Sequence, residues 1–269
     1  MRVVIKIGGS LMKGGLPTPL VEDIRSLAPG HQFVIVHGGG DVVTDYATRL
    51  GKEQRFVVSP EGIRSRYTDA ETAEIYQMVM SGLLAKRIVS ALARAGVKGV
   101  SLSGADAQLL QGKRKTKLVI MDDRGRRVAI DGGYTGRVAG VNVPLLETLL
   151  SQGYVPVISP VASGEDAEPL NVDGDRAASA VAAGLRADSV VFLTDVDGLL
   201  LDGQVAPRLT AAEASSILPR IGFGMQKKVI GAVEAVEAGV REAIICSGTR
   251  PTPVARALSH DYCTVISDR

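Results

Sequence analysis

The sequence predicts an α/β protein with a largely parallel, covered sheet, and three observations carry that expectation. Strand-like runs recur at 3–7, 33–37, 98–102, 117–121, 127–130, 154–159, 189–194, 243–246 and 263–267, with helix-length segments between many of them. That alternation is how parallel sheets are built. The composition is 45% hydrophobic with 4% aromatic and no tryptophan, which suits Val/Ala/Leu-packed layers rather than an aromatic binding platform. Two runs also end in glycine loops, at the strand ends where open α/β sheets bind ligands.

The first run is Val3-Val4-Ile5-Lys6-Ile7, followed by Gly8-Gly9-Ser10. A charged Lys6 inside a buried strand needs a reason, and a ligand anion is one. Glycines let the backbone turn tightly and present bare N–H groups. The alternative is an ordinary strand-to-loop turn with a snorkelling lysine. A helix at 19–28 closes at Pro29-Gly30. The second run, Phe33-Val34-Ile35-Val36-His37, repeats the device with Gly38-Gly39-Gly40 and a helix pattern over 42–50. A helix start offers unpaired N–H groups and a positive dipole end. The spacing is neither GxGxxG nor a Walker loop, so the pair reads as two halves of a phosphate cradle of another kind.

Arg64 and Arg66 follow in an extended loop. If fully pleated they are expected to diverge, so that only one of them faces a ligand carboxylate, which a two-pronged guanidinium suits; the alternative is solvent-exposed arginine. Thr68 or Asp69 caps a long helix over about 70–95, whose apolar spacing marks core or a dimer interface. Residues 110–137 carry Lys113, Arg114, Lys115, Lys117, Arg124, Arg126, Arg127 and Arg137 on short hairpins, a basic surface or simply a solvated one. After a helix at 143–151 comes Asn171-Val172-Asp173-Gly174-Asp175, opening an alanine-rich helix. Asp173 or Asp175 serves as its N-cap, or Asn171 and Asp175 hold substrate and orient lysines. Thr194-Asp195-Val196-Asp197-Gly198 follows a strand end, and the rest of an EF-hand is missing. Gly224-Met225 and Lys227-Lys228 open a helix over 226–238. Lysine there opposes the helix dipole, which points to a nearby anion.

The formal net charge of +2 argues against bulk nucleic-acid binding. Cys246 and Cys263 lack metal spacing and are expected as free thiols. No run approaches the roughly 18 apolar residues of a membrane span, and no signal peptide is expected, so the expected location is the cytoplasm.

Taken together, K-x-G-G-S, H-G-G-G, G-x-R, N-x-D-x-D, T-D-V-x-G and G-M-x-x-K resemble the amino acid kinase family, in family order across nearly the whole chain. The finer likeness is to the acetylglutamate kinase branch. Within it, Ser59–Thr68 and Gly133-Tyr134-Thr135-Gly136 resemble kinases that act on aminoadipate, or glutamate, bound to an acidic LysW-like carrier protein. The resemblance implies a three-layer α/β/α sandwich with a mainly parallel sheet, forming a single domain over 1–269. It implies an acyl-substrate and dimerisation lobe over 1–170 and an ATP lobe over 171–269. It implies ATP and Mg²⁺ as cofactors, the metal held mainly by phosphates and water, and a homodimer. Lys6, Lys228 and Asp175 would be catalytic. Gly38, Gly39, Gly40, Arg64 and Asn171 would hold substrate. Gly8, Gly9, Ser10, Thr194, Asp195, Gly224, Met225 and Lys228 would meet ATP. Arg66, Lys113, Arg114, Lys115, Lys117, Arg127, Arg137 and Tyr134 would meet the carrier. The nearest rival is a kinase of free N-acetylglutamate. A non-catalytic nucleotide sensor on the same fold is disfavoured, because Lys6, Asp175 and Lys228 are all present.

Overall fold

The structure, a computed structural model, describes residues 1–12, 15–201 and 203–268. Eight strands form one sheet. They are β1 (Arg2–Ile7), β2 (Gln32–His37), β3 (Gly99–Leu102), β4 (Val155–Ile158), β5 (Ser189–Thr194), β6 (Arg208–Leu209), β7 (Glu242–Ser247) and β8 (Cys263–Ile266), in the spatial order β6-β8-β7-β5-β1-β2-β4-β3. Neighbours run parallel except β7 and β8. The strands from 1–170 and those from 171–269 meet where β1 pairs with β5.

Side-chain alternation divides the core into two layers. On one face, Val4, Val34, Val36, Val190, Phe192 and Ile245 pack against α5 (Val143–Ser151), α6 (Gly174–Gly184), α7 (Ala211–Ser216) and α8 (Phe223–Glu237). On the other, Ile5, Ile7, Phe33, Ile35, Val191 and Ile244 pack against α1 (Thr18–Leu27), α2 (Gly40–Arg49), α3 (Ala70–Gln77), α4 (Ala85–Arg94) and α9 (Pro253–Leu258). This is the expected three-layer sandwich. Helices on both faces explain why the strands read as continuous apolar runs.

Three details depart from the sequence reading. The expected helix over 70–95 is split, because Met78–Leu84 winds as a π-helix between α3 and α4. The wider turn carries Met80 and Leu84 inward, both buried. The short helix α7 was not anticipated, although its capping box, Thr210 with Glu213, is legible in the sequence. Nor was α9, whose first N–H groups are capped from afar. The buried Asp23 carboxylate of α1 accepts from Val254 N at 2.6 Å and Ala255 N at 3.0 Å. Cys246 and Cys263 are free and buried, opposite one another in the β7–β8 register. Burial pushes both thiols up, Cys263 to about 11. Among the described residues, no helix is long and apolar enough to cross a membrane.

Candidate active site

Because β1 and β2 are adjacent and parallel, the loops leaving their C-terminal ends emerge side by side. Gly8 N donates to Leu193 O at 3.0 Å and Gly38 N to Ile7 O at 2.8 Å, extending the ladder by one residue each. Beyond that point the pairing stops. The N–H groups of Gly9, Gly39 and Gly40 donate to no acceptor among the described residues. The two loops touch. A Cβ on Gly9 would lie 3.1 Å from Gly39 N, and one on Gly38 would lie 3.0 Å from Gly9 N. Gly39, at φ 149°, is the glycine the geometry demands, since its added Cβ would fall 2.1 Å from Leu84 Cδ1. Three free donors therefore lie on two touching loops, where a side chain on Gly9, Gly38 or Gly39 would crowd its neighbours, a concavity of the anion-binding kind.

Lys6 follows the alternation of β1 and so faces the α6–α8 layer. Its Nζ lies 2.7 Å from Asp175 Oδ1, and both side chains are 7% exposed. Asp173, not Asp175, caps α6, accepting from Asp175 N at 3.0 Å and Arg176 N at 3.1 Å. That cap starts the helix beside Lys6. A Cβ on Gly174 would sit 3.6 Å from Lys6 Cε. Lys228 reaches the same place from α8. The helices approach closely because Gly231, one turn beyond Lys228, leaves only 3.3 Å between its would-be Cβ and Asp175 Cβ. The Ser179 hydroxyl lies within bonding range of Gly231 O and Asp175 O, at 2.7 and 2.9 Å. Gly231 was missed in the sequence, because nothing local distinguishes a packing glycine from any other helical glycine.

Charge follows from this geometry. Burial opposes ionisation of Asp175, but Lys6 and Lys228 outweigh it and hold its carboxyl below the usual carboxylate range. Burial, opposed by the charge of Asp175 and reinforced by that of Lys6, pulls the Lys228 ammonium below its ordinary value. Lys6 is paired with Asp175, and the Lys228 ammonium, donating to Gly224 O at 3.4 Å, feels the charge of both, beside an array of free amide donors. The arrangement is short of negative charge, and a polyanion supplies it.

The other anticipated residues fall into place unevenly. Thr194 and Asp195 stand at the C-terminal end of β5, with the threonine hydroxyl donating to Asp195 Oδ1 at 3.0 Å. Ser10 is exposed in a 3₁₀ turn after Gly9, Gly224 is exposed in the first turn of α8, and Met225 packs against the core. Asn171 donates to the Thr68 hydroxyl at 2.9 Å. Asp197 forms a two-pronged pair with Arg250 at 2.5 and 2.6 Å, and Arg250 stacks on the Tyr262 ring. That strap beyond the C-terminal end of β5 escaped the sequence reading.

The arginines require correction. Residues two apart on a strand share a face, so Arg64 and Arg66 do not diverge. Both lie over the Phe56 ring, at 3.8 and 5.0 Å. Arg64 is exposed. Arg66 is buried, and it donates to Gly40 O at 2.6 Å, Thr44 Oγ1 at 2.9 Å and Gln54 Oε1. Arg66 is therefore unavailable to a docking protein, and it is the arginine that reaches the second glycine loop.

The basic stretch forms two hairpins, Leu110–Arg114 with Gly136–Val141 and Lys117–Met121 with Arg127–Asp131. Lys113, Arg114, Lys117, Arg127 and Arg137 are exposed, and Lys113 lies directly opposite Arg137. Tyr134 is half-buried beneath Arg114. Lys115 is half-buried with Arg137 and Arg176 in a cavity of about 350 Å³. Burial, reinforced by Arg176, pulls its ammonium below the ordinary lysine value.

An α/β sandwich with a phosphate-type cradle at adjacent strand ends defines the class. The chain belongs to the amino acid kinase family, whose pattern matches residues 1–247. It is 44% identical over 257 residues to the LysW-aminoadipate/LysW-glutamate kinase of Saccharolobus solfataricus, covering 95% of this chain and 96% of that one. It is 54% identical over 266 residues to a Cenarchaeum symbiosum protein that carries the same name provisionally, covering 99% of both. Among solved structures, N-acetylglutamate synthase from Neisseria gonorrhoeae, complexed with coenzyme A and N-acetyl-glutamate, superimposes with a TM-score of 0.81 at 25% identity. The match covers 100% of this chain and 59% of that one. Giardia carbamate kinase shares the fold, with a TM-score of 0.70 at 17% identity over 100% of this chain and 99% of the other.

Proposed function

We propose that this chain transfers the terminal phosphoryl group of ATP to the side-chain carboxylate of aminoadipate or glutamate held on a small acidic carrier protein. The carrying observation is the meeting of two glycine loops with three free N–H donors, beside Lys6 and Lys228. Full-length relatives named for this reaction support the acceptor.

The chemistry suits the residues. A side-chain carboxylate is ionised at neutral pH, its ordinary pKa being about 4.3, so the attack needs no general base. The obstacle is bringing one anion onto another. Lys6, Lys228 and the free amides offset that repulsion and stabilise charge moving between oxygens. Asp175 fixes the Lys6 ammonium in place, and its charge draws on that of Lys228. Among the described residues, no three His, Cys, Asp or Glu side chains gather to cage a metal. The Mg²⁺ ion of this reading arrives on the nucleotide, coordinated by phosphate oxygens and water. When bound, that ion neutralises phosphate charge.

The acceptor belongs to the half of the sheet containing β1 and β2, and the nucleotide to the half containing β5 and β7, near Thr194, Asp195, Gly224 and Met225. Arg64, exposed over the Phe56 ring, and Asn171 hold the acceptor, while Arg66 steadies the second glycine loop through Gly40 O. The exposed cations of the hairpins steer an acidic carrier toward the site. Strand β3, whose outer edge pairs with no other strand among the described residues, is where two copies would meet as a homodimer. The nearest rival acceptor is free N-acetylglutamate, which offers the same side-chain carboxylate on a small molecule.

Lys6→Ala and Lys228→Ala test the reading. Each is expected to lower kcat by on the order of 10²-fold, with much smaller changes in KM, as for other groups that act on transition-state charge. Near-parental turnover in either variant would remove the phosphate cradle from the account.

A further inference from the structure

Three glycines in a row leave the second loop without side chains to fix its peptide planes. Glycine populates both signs of φ almost equally, so something outside the loop must set the direction of its N–H groups. His37 is in position to do so. It is fully buried at the end of β2, and its Nδ1 lies 3.0 Å from Gly38 O. A carbonyl only accepts, so Nδ1 carries the proton and Nε2 is left as a bare lone pair. That Nε2 is buried and has no partner among the described residues. A histidine kept only for packing would be cheaper as phenylalanine, because a buried polar atom without a partner costs about 1–3 kcal/mol.

We infer that His37 is a positioning residue that locks the Gly38–Gly39 peptide so that the Gly39 N–H points into the gap between the two glycine loops. The peptide unit is planar and trans, so its C=O and N–H point in opposite directions. Holding Gly38 O against the imidazole fixes Gly39 N–H on the other side. On that side Gly39 N lies 3.1 Å from the place a Gly9 Cβ would occupy, and it meets no acceptor. The lock has a second half. Leu84 Cδ1 and Met80 Sδ, from the π-helical turn, lie 2.1 and 3.3 Å from where a Gly39 Cβ would stand. They close the space into which the loop would move. Burial presses the imidazole down to about 4, aided by Lys6 and opposed by the bond to Gly38, so the ring stays neutral near pH 7.

The catalytic consequence rests on the phosphoryl-transfer reading, but the geometry is testable without it. The chain has three histidines, so ¹⁵N NMR of histidine-labelled protein resolves each ring. His37 is expected with Nδ1 protonated and Nε2 bare. An Nε2–H tautomer leaves Gly38 O without its donor and overturns the inference. That result is readable whether or not the protein phosphorylates anything. The kinetic test uses His37→Phe, which keeps ring volume and loses the donor, and His37→Asn, whose amide N–H can still reach the carbonyl. His37→Phe is expected to lower kcat by about 10-fold or more while KM for MgATP stays within about twofold. His37→Asn is expected to recover most of that loss. Parental kcat in His37→Phe, or an Asn variant as slow as the Phe variant at equal Tm, overturns the inference. Should His37→Phe fail to fold, the tautomer and the Asn variant still decide it.

Discussion

Replacing Asp175 by leucine leaves the Lys6 ammonium buried without its counter-charge. At 2.7 Å, the gross attraction at an effective dielectric constant of about 20 is roughly 6 kcal/mol. Most of it offsets the desolvation of both groups, so the pair adds little net stability. Breaking it is another matter, because one charge then stays in the core uncompensated, at a cost of about 3–5 kcal/mol. For a chain of this size that corresponds to a fall in Tm of roughly 10 °C. The double variant Lys6→Met/Asp175→Leu separates stability from catalysis. An apolar pair of similar volume in place of a buried ion pair is typically neutral or stabilising, so Tm should return to within a few degrees of the parent while turnover stays lost. Thermal unfolding by circular dichroism and a coupled ATP-turnover assay read the two quantities. A double variant as unstable as Asp175→Leu would show that the pair is not what holds this region. A single variant with parental kcat would show that it does not serve the reaction.

Three further outcomes are expected. His37 binds protons less readily when folded, at about 4 against 6.5 unfolded, so the unfolded chain takes up more protons between those values. The stability this residue contributes is complete above pH 6.5 and is lost as pH falls toward 4, by about 3 kcal/mol, and urea unfolding of His37→Phe should show that part of the pH dependence flattened. Asp23→Ala removes the carboxylate that caps α9, and should lower stability by about 1–3 kcal/mol with kcat and KM unchanged; a kinetic defect at equal folded fraction would contradict a purely structural role. Lys113→Glu/Lys117→Glu/Arg127→Glu should raise KM for a carrier-bound acceptor and leave kcat largely intact, and added salt should imitate it in the parent because rim charges are screened over about 8–10 Å; an equal effect on free N-acetylglutamate would assign the hairpins to the fold instead.

Much of this was legible in the sequence, for physical reasons. The strands at the centre of the sheet are buried on both faces, so they read as apolar runs, and Lys6 stood out because it is the one charge inside β1, Arg2 standing at its start. The glycine loops were equally plain, since glycine is demanded where two backbones touch. What the sequence concealed depends on three-dimensional neighbours. Arg64 and Arg66 are identical in type and two apart, and only the depth of Phe56 and the position of Gly40 distinguish them. The π-helical turn at Met78–Leu84 has the composition of ordinary helix, and the Gly39 loop it packs against lies far away in sequence. Gly231 matters because α6 passes close to it. Asp23 caps a helix more than two hundred residues away. His37 was visible in the motif but silent, because its role lies in the peptide plane that follows it.

The most direct test of the central claim offers three acceptors side by side with MgATP: carrier-bound aminoadipate, carrier-bound glutamate and free N-acetylglutamate, with the acyl phosphate trapped by hydroxylamine. The expected result is ATP-dependent hydroxamate from at least one carrier-bound acceptor, with kcat/KM well above that for the free one. Hydroxamate from N-acetylglutamate alone, or from none of the three, would contradict it.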